Sequence, residues 1–132
     1  LWRRKVLDEG LVVAKRVYLG DRMREEEEEA KREAQVLRRL CHPHIVKYLG
    51  SWVSQESYDL IIVQEYCEGG DLSELIQEER KGRAAFPAAD VIRWLSQIAH
   101  ALLYCHTTVQ VLHRDLKPGN VFLSGDRSRA LL

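Results

Sequence analysis

Alternation of β-branched and polar residues marks the first half of the chain. Residues 11–18 are rich in valine and follow turn-forming residues at 8–10, so we expect residues 2–5 to pair with them in a hairpin. Residues 45–53 and 59–65 have the same β-branched character and are separated by a short polar segment. The pattern therefore predicts four strands in a mostly antiparallel sheet.

A helical pattern lies between the second and the third of these strands. Residues from about 24 to 41 are rich in Glu, Ala, Lys, Arg and Leu, and Pro43 stops the pattern. The apolar positions at helical spacing are Ala30, Ala34, Leu37, Leu40 and Cys41. One helix is therefore predicted to pack against the sheet.

After residues 69–70, both glycine, the character of the chain changes from strand to helix. Asp71 and Glu74 have the three-residue spacing of an N-terminal cap, which predicts a helix over about 72–81. We place the boundary between a sheet-rich half and a helical half at these glycines.

A second helix in this half is predicted from Pro87 to about residue 106, because apolar residues recur there every three or four positions. The positions of its apolar stripe are Val91, Leu95, Ile98, Leu102 and Cys105. A sheet covered by one helix and followed by further helices predicts the α+β class.

The composition is that of an ordinary globular unit, and it narrows the range of partners. The 132 residues are 45% apolar and 30% charged, and 20 basic residues balance 20 acidic ones. A net charge of zero argues against a nucleic-acid partner bound through its phosphates. Apolar runs are only a few residues long, so no membrane insertion is expected. Three widely spaced cysteines are typical of reduced thiols, which favours a cytoplasmic or nuclear location.

A polar segment between two apolar runs, residues 111–123, is the most informative part of the chain. Asp115, Lys117 and Asn120 lie in a loop that a Pro-Gly pair keeps from becoming helix, so their side chains can converge. A carboxylate that orients a hydroxyl, a cation that neutralises phosphate and an amide oxygen that holds Mg²⁺ suit phosphoryl transfer. The alternative is a loop whose charges simply face water.

The string from His113 to Asn120 resembles the catalytic loop of eukaryotic protein kinases, whose H-R-D-L-x-x-x-N pattern it matches at every fixed position. The resemblance implies that Asp115 is the catalytic proton acceptor and that Asn120 holds a metal ion. It also implies that Lys117 assists at phosphate, in the form typical of Ser/Thr kinases. His113 is expected to be structural.

Residues 12–15 look like the kinase strand that carries the lysine for the ATP phosphates, which implies that role for Lys15. The family pairs this lysine with a glutamate of the following helix, and Glu33 has the matching position nine residues before His42. Glu33 is expected on the apolar face with Ala34. The alternative is a surface glutamate that pairs with an arginine of its own helix.

Residues 61–72 resemble the last strand of the kinase small lobe and the hinge that follows it. By that match the Glu65 carbonyl and the Cys67 main chain face adenine, and Gln64 controls the depth of the pocket. Asp71 reaches ribose, caps the following helix, or does both.

The resemblance gives a partial protein-kinase fold. It implies an antiparallel small-lobe sheet with one αC-type helix over residues 1–66, a hinge at 67–71, and over 72–132 the first helices and catalytic loop of the large lobe. The amino-acid sequence of residues 42–46 and 65–72 is most similar to that of the NIMA-related Ser/Thr kinases. ATP and Mg²⁺ are the implied cofactors, and a protein with a Ser or Thr hydroxyl is the implied substrate.

The 132 residues contain neither the Gly-rich phosphate loop nor the Asp-Phe-Gly metal motif of the family. We therefore expect a fragment of a longer kinase that is inactive when isolated, with an apolar patch exposed on its long helix. The alternative is a non-catalytic, pseudokinase-like binding or scaffold module. The resemblance implies a cytoplasmic location. The alternatives are association with the cytoskeleton and a nuclear location.

Overall fold

A computed structural model describes most of the chain, and its residues group into two compact units. The described residues are 2–7, 10–19, 24–82 and 85–132. The first unit comprises residues 1–41 and 47–66, and the second comprises residues 42–46 and 67–132. Two residues of the predicted turn at 8–10 lie outside the described residues.

The first unit is an antiparallel sheet with one helix. The strands are β1 (Trp2–Leu7), β2 (Gly10–Tyr18), β3 (Tyr48–Val53) and β4 (Asp59–Glu65), and the helix is α1 (Arg24–Arg39). The four strands lie in the order β1-β2-β4-β3, and each pairs antiparallel to its neighbour. The predicted helix and the predicted hairpin are therefore confirmed within a few residues of their bounds.

Small residues let α1 lie close to the sheet. Ala30 and Ala34 are both buried, and they share a core cluster with Leu60 and Ile62 of β4. Ile62 is fully buried, because it lies on a central strand beneath the helix. Burial of these apolar side chains, at about 25 cal/mol per Å², is the main force that fixes α1 on the sheet.

A charged residue is also fully buried in this unit. The Asp59 side chain has no solvent exposure, and Arg16 Nε donates a hydrogen bond to its Oδ2. The Arg16 side chain as a whole remains 54% exposed. The pair therefore joins β2 to the first residue of β4 while the cation keeps contact with water.

The prediction of a strand over residues 45–53 was wrong at its start, because β3 begins at Tyr48. The Val46 N–H donates to the Leu132 carbonyl at 2.7 Å, and the Ile45 N–H donates to His42 at 3.1 Å. Both backbone groups are thus used within the second unit, and both side chains are buried there, although β-branched residues favour a strand.

The second unit contains two helices and a small hairpin. The helices are α2 (Leu72–Gly82) and α3 (Ala88–Tyr104), and the strands are β5 (Phe122–Leu123) and β6 (Ala130–Leu131). A π-helical turn over Cys105–Val109 continues α3, and a 3₁₀ turn spans Pro118–Asn120. The core cluster consists of Leu75, Trp94, Ile98, Val121, Leu123 and Ala130. Among the described residues, no helix combines the length and the apolar character needed to cross a bilayer.

The predicted apolar stripe of α3 is confirmed at Ile98, and at Cys105 just after the helix, but it is wrong at Leu95. Trp94, Ile98, Ala101 and Cys105 are buried, whereas Leu95, which we expected inside, is 61% exposed. Trp94 lies in the core cluster, and its indole Nε1 donates to the Arg127 carbonyl at 2.9 Å. Three large apolar side chains of α3 are exposed, Ile92, Leu95 and Leu103, but only Leu95 of these belongs to the predicted stripe, so the expectation that the stripe forms an exposed patch is not confirmed.

Main-chain hydrogen bonds tie residues 69–72, at the start of α2, to residues 121–123, which include β5. The Gly69 N–H donates to the Leu123 carbonyl at 3.0 Å, and the Leu123 N–H donates to the Gly70 carbonyl at 2.9 Å. The Leu72 N–H completes this ladder by donating to the Val121 carbonyl at 2.8 Å. We call these three hydrogen bonds the hinge ladder. They fix residues 69–72 against residues 121–123, which directly follow the polar loop.

We predict that Gly69→Ala destabilises the second unit by about 1–3 kcal/mol, because added atoms in a packed site force the surroundings to shift. A Cβ on Gly69 would lie 2.8 Å from both the Cβ and the carbonyl oxygen of Leu123, and it would also meet the Ser124 carbonyl. Thermal unfolding of the intact protein measures the effect. Gly119→Ala is the control, because nothing lies within 4 Å of its Cβ position. Equal melting temperatures for the two variants would contradict the close approach.

Candidate active site

A tight turn presents the polar loop of the second unit. The Asp115 N–H donates to the His113 carbonyl at 2.8 Å, and Arg114 between them has a φ of 61°. A non-glycine residue in this left-handed region costs about 1–2 kcal/mol. The turn leaves the Asp115 side chain 64% exposed, so its carboxylate is open to a ligand.

Both polar partners of Asp115 reach the same carboxylate oxygen. Lys117 Nζ donates to Asp115 Oδ2 at 2.7 Å, and Asn120 Nδ2 donates to that oxygen at 2.8 Å. Asn120 Nδ2 also donates to the Asp115 main-chain carbonyl at 2.8 Å. The structure therefore brings together the three residues that the sequence singled out in this loop.

These contacts decide which way the Asn120 amide points. Its two partners at Asp115 are a carboxylate oxygen and a carbonyl oxygen, and both can only accept hydrogen bonds. The amide nitrogen must therefore face Asp115, and the Oδ1 atom is directed to the other side. An amide oxygen held in this way is a suitable ligand for a hard cation such as Mg²⁺.

The hydrogen bonds from Lys117, and next those from Asn120, lower the pKa of Asp115 from its ordinary value of 3.8. The charges of Lys117 and His113 act in the same direction, while partial burial opposes them. A carboxylate with a lowered pKa is a weak base. Asp115 is therefore suited to orient a hydroxyl and to accept its proton as the oxygen reacts, rather than to remove that proton beforehand.

In the first unit, Lys15 of β2 and Glu33 of α1 form an ion pair with an Nζ–Oε1 distance of 2.9 Å. Glu33 thus has a partner on the sheet, as the family resemblance implied. The expectation that Glu33 lies on the apolar face was wrong, since its side chain is 49% exposed beside the buried Ala34. The pair adds little stability at such exposure, but it fixes where the Lys15 ammonium points.

The residues expected around a nucleotide base have other contacts. The Glu65 carboxylate accepts a hydrogen bond from the Lys47 N–H at 2.8 Å, and the Glu65 N–H donates to the Lys47 carbonyl at 3.0 Å. The Cys67 carbonyl accepts a hydrogen bond from the Gly70 N–H at 3.2 Å. These contacts hold the end of β4 and the turn after it.

Asp71 caps α2, which was one of the two roles that the sequence left open. Its Oδ1 accepts a hydrogen bond from the Glu74 N–H at 2.9 Å, which satisfies one of the donors at the start of the helix. The second carboxylate oxygen does not take part in this cap, so capping leaves room for a further contact.

Sequence reasoning missed two features that shape the site. The left-handed backbone of Arg114 carries no sequence signal, because arginine does not favour that conformation. The hinge ladder was also missed, although the consecutive glycines before Asp71 are a usable signal for a close approach of two backbones. Among the described residues, no group of three or more His, Cys, Asp or Glu side chains could hold a metal ion.

The sequence is similar to known protein kinases over nearly its whole length. The Protein kinase domain family matches residues 4–131. The chain is 41% identical over 118 residues to Serine/threonine-protein kinase Nek11 of Homo sapiens, which covers 89% of the chain and 18% of that relative. It is 38% identical over 129 residues to Serine/threonine-protein kinase Nek2 of Homo sapiens, covering 95% of the chain and 29% of the relative.

A mouse Ser/Thr protein kinase is also similar to the chain. The chain is 44% identical over 112 residues to Serine/threonine-protein kinase Nek4 of Mus musculus, covering 85% of the chain and 14% of the relative. The chain thus spans less than a third of the length of each of these curated relatives.

We predict that Lys117→Met raises the pKa of Asp115 more than Asn120→Ala does, because the hydrogen bond from Lys117 is the larger cause of the lowered value. Carbon-13 NMR titration of the Asp115 carboxylate in the intact protein measures both shifts. The pKa of Asp115 is lower in the folded protein than in the unfolded chain. The contacts from Lys117 and Asn120 therefore stabilise the fold at pH values above the unfolded pKa, and this stabilisation is lost as the pH falls through the folded pKa. An unchanged Asp115 titration in Lys117→Met would contradict the assignment.

Proposed function

This chain belongs to the protein kinase domain family, and we propose on that premise that the protein carrying it transfers the γ-phosphate of ATP to Ser or Thr hydroxyls of other proteins. The observation that carries the proposal is the convergence of Lys117 and Asn120 on one oxygen of an exposed Asp115. Similarity to three Nek Ser/Thr kinases supports the substrate class. We assign residues 1–66 to the small lobe, 67–71 to the hinge and 72–132 to the start of the large lobe.

In this proposal Asp115 orients the substrate hydroxyl and accepts its proton. The exposure of its carboxylate supports this role, because a protein hydroxyl has to reach it from solvent. Lys117 lies within one hydrogen bond of that carboxylate and places positive charge where the phosphate oxygens gain negative charge. The strained turn at Arg114 holds the carboxylate outward before any ligand binds.

Lys15 binds ATP phosphates, and Glu33 positions its ammonium. Without an anionic partner Lys15 has many rotamers, and holding it in one of them costs conformational entropy. The 2.9 Å contact with Glu33 supports this role, because the carboxylate selects one direction for the lysine side chain. Glu33 is thus a positioning residue in this proposal.

The adenine and ribose contacts fall to the segment after β4. The main-chain groups of Glu65 and Cys67 hold the base, and Asp71 reaches ribose with the oxygen that does not cap α2. The cap supports this assignment, since it fixes the Asp71 side chain in a single rotamer.

Mg²⁺ is the second implied cofactor, and Asn120 fits it. The hydrogen bonds to Asp115 turn the Asn120 Oδ1 atom away from the carboxylate, which leaves a hard oxygen donor in a fixed place. When bound, Mg²⁺ supplies charge stabilisation at the phosphate oxygens. Asn120 is the metal ligand that we assign among the described residues.

The proposed partners are ATP and a protein with an accessible Ser or Thr. Neither nucleic acid nor membrane insertion is part of the proposal, because the chain has no net charge and its apolar runs are short. A cytoplasmic location is proposed, since all three cysteines lie among the described residues and form no disulfide.

The decisive experiment compares Asp115→Asn with the wild type of the intact protein. We expect kcat for phosphate transfer to a Ser/Thr peptide mixture to fall by about 10²–10⁴-fold, because asparagine keeps the size of the side chain but cannot accept the proton. The control is Asp90→Asn, an aspartate of α3 that pairs with Arg93 at 2.5 Å. We expect kcat of this control within about twofold of the wild type.

Three outcomes contradict the proposal. Asp115→Asn could retain the wild-type kcat, the wild type could transfer no phosphate from Mg-ATP to any hydroxyl, or a tyrosine-only peptide mixture could be the better substrate. The first would remove Asp115 from the chemistry, the second would favour a non-catalytic binding module, and the third would change the substrate class.

A further inference from the structure

Residues 42–46, which lie between α1 and β3 in the chain, belong to the second unit. We call them the connecting segment. The Leu132 N–H donates to the His44 carbonyl at 3.0 Å, and the Val46 N–H donates to the Leu132 carbonyl at 2.7 Å. These two main-chain hydrogen bonds pair the connecting segment with the residue that directly follows β6.

A histidine side chain completes the turn at the start of the connecting segment. The His44 N–H donates to His42 Nδ1 at 3.2 Å. A ring nitrogen accepts a hydrogen bond only when it carries no proton, so His42 is neutral in this arrangement and its proton is on Nε2. A second proton on the ring would make Nδ1 a donor that faces another donor. The turn therefore depends on one protonation state of His42.

The groups around the His42 ring give it no negative partner. The His44 ring lies beside it with centroids 5.6 Å apart, and the Tyr104 ring of α3 stacks on it at 5.1 Å with 24° between the planes. His100 of α3 is close enough to repel a charge on it. The titratable residues on its own segment, on α3 and just before it in the chain are His44, His100, Tyr104, Arg39 and Cys41. None of these side chains is negatively charged at neutral pH.

The pKa of His42 is lowered from its ordinary value of 6.5. Partial burial is the largest cause, and the charges of His44 and His100 act in the same direction. The face of the Tyr104 ring attracts a cation, but the lowered pKa shows that the opposing causes are larger. The neutral ring therefore stabilises the fold above the unfolded pKa, and this stabilisation is lost as the pH falls through the folded pKa.

The connecting segment has a further unmet hydrogen bond. The Nδ1 atom of His44 is buried and has no hydrogen-bond partner among the described residues. A buried polar atom without a partner destabilises the structure around it. Loss of the hydrogen bond to His42 would leave the His44 N–H without its acceptor as well.

We propose that His42 is a pH switch, whose neutral ring keeps the connecting segment closed and whose protonation opens it. The proton comes from water and binds Nδ1, and the hydrogen bond that breaks is the one from the His44 N–H. Because the connecting segment joins α1 to β3, its opening loosens the chain between them. This switch is additional to the proposed kinase activity and does not depend on it.

The test follows the intact protein from about pH 7.5 to about pH 4.5. NMR of protein labelled with nitrogen-15 histidine gives the tautomer and the pKa of His42, and we expect the Nε2–H tautomer and a pKa below 6.5. Hydrogen exchange, corrected for its intrinsic pH dependence, gives the protection of residues 42–46. We expect this protection to fall by about threefold to tenfold, with a midpoint at the pKa of His42. The helix around the buried Ile98 is the internal reference.

His42→Asn separates the hydrogen bond from the titration. The asparagine Oδ1 can accept from the His44 N–H as Nδ1 does, but it takes up no proton in this pH range. We expect protection within about twofold of the neutral wild type at every pH. His106→Asn is the matched control, because His106 is an exposed histidine of the π-helical turn, and it is expected to keep the wild-type pH dependence.

His100→Gln keeps the proposal testable if asparagine at position 42 disturbs the fold. His100 is exposed, so its replacement leaves the core intact. Removing its charge is expected to raise the pKa of His42 and to move the midpoint of opening to higher pH.

Several results would overturn the proposal. An Nδ1–H tautomer at neutral pH would remove the acceptor, and constant protection of residues 42–46 while His42 titrates would show that protonation opens nothing. A pH dependence that persists in His42→Asn, or that disappears equally in His106→Asn, would assign the effect to other groups. An unchanged midpoint in His100→Gln would show that the opening does not follow the charge of His42.

Discussion

The hinge ladder is the constraint on which the second unit depends. Three main-chain hydrogen bonds join the residues just before α2 to the residues just after the polar loop, and they leave no space for a side chain at Gly69. The residues that follow the polar loop are therefore held by main-chain hydrogen bonds and not by flexible side chains. Asp71, which caps α2, lies between the paired residues of the ladder, and Asn120, which donates to the Asp115 carboxylate, directly precedes Val121 at the same end.

Main-chain geometry also explains why exposed polar side chains can be well ordered in this loop. None of the contacts at Asp115 is buried, so each of them alone contributes little to stability. These contacts can still order the side chains, because the turn at Arg114 and the 3₁₀ turn over Pro118–Asn120 already hold the backbone in place. The side chains then need to lose only their own rotamer freedom to converge.

Much of the fold could be predicted because its signals are local. The cap at Asp71, the proline after α1 and the valine-rich strands each depend on neighbouring residues, and the structure contains the corresponding elements. Leu95 was misplaced because Trp94 and Leu95 are adjacent apolar residues, and helical periodicity alone cannot choose between them. The structure buries Trp94 in the apolar cluster, where its indole N–H finds an acceptor in the Arg127 carbonyl, 33 residues away.

The same limit applies to the candidate site. The convergence of Asp115, Lys117 and Asn120 followed from their spacing, and the Lys15–Glu33 pair followed from a family resemblance. The left-handed Arg114 and the exposed position of Glu33 did not follow, since both depend on how distant segments pack. Sequence patterns thus identify which groups meet, whereas the structure gives their directions and exposure.

The consecutive cations of β2 have a consequence for how this sheet assembles. Lys15 and Arg16 point to opposite faces of the strand, and each meets a carboxylate on its own side, Glu33 on α1 and Asp59 on β4. A slip of β2 by one residue would exchange the two faces and leave the fully buried Asp59 without its guanidinium. The Arg16–Asp59 pair therefore favours the observed register of β2 over a register shifted by one residue.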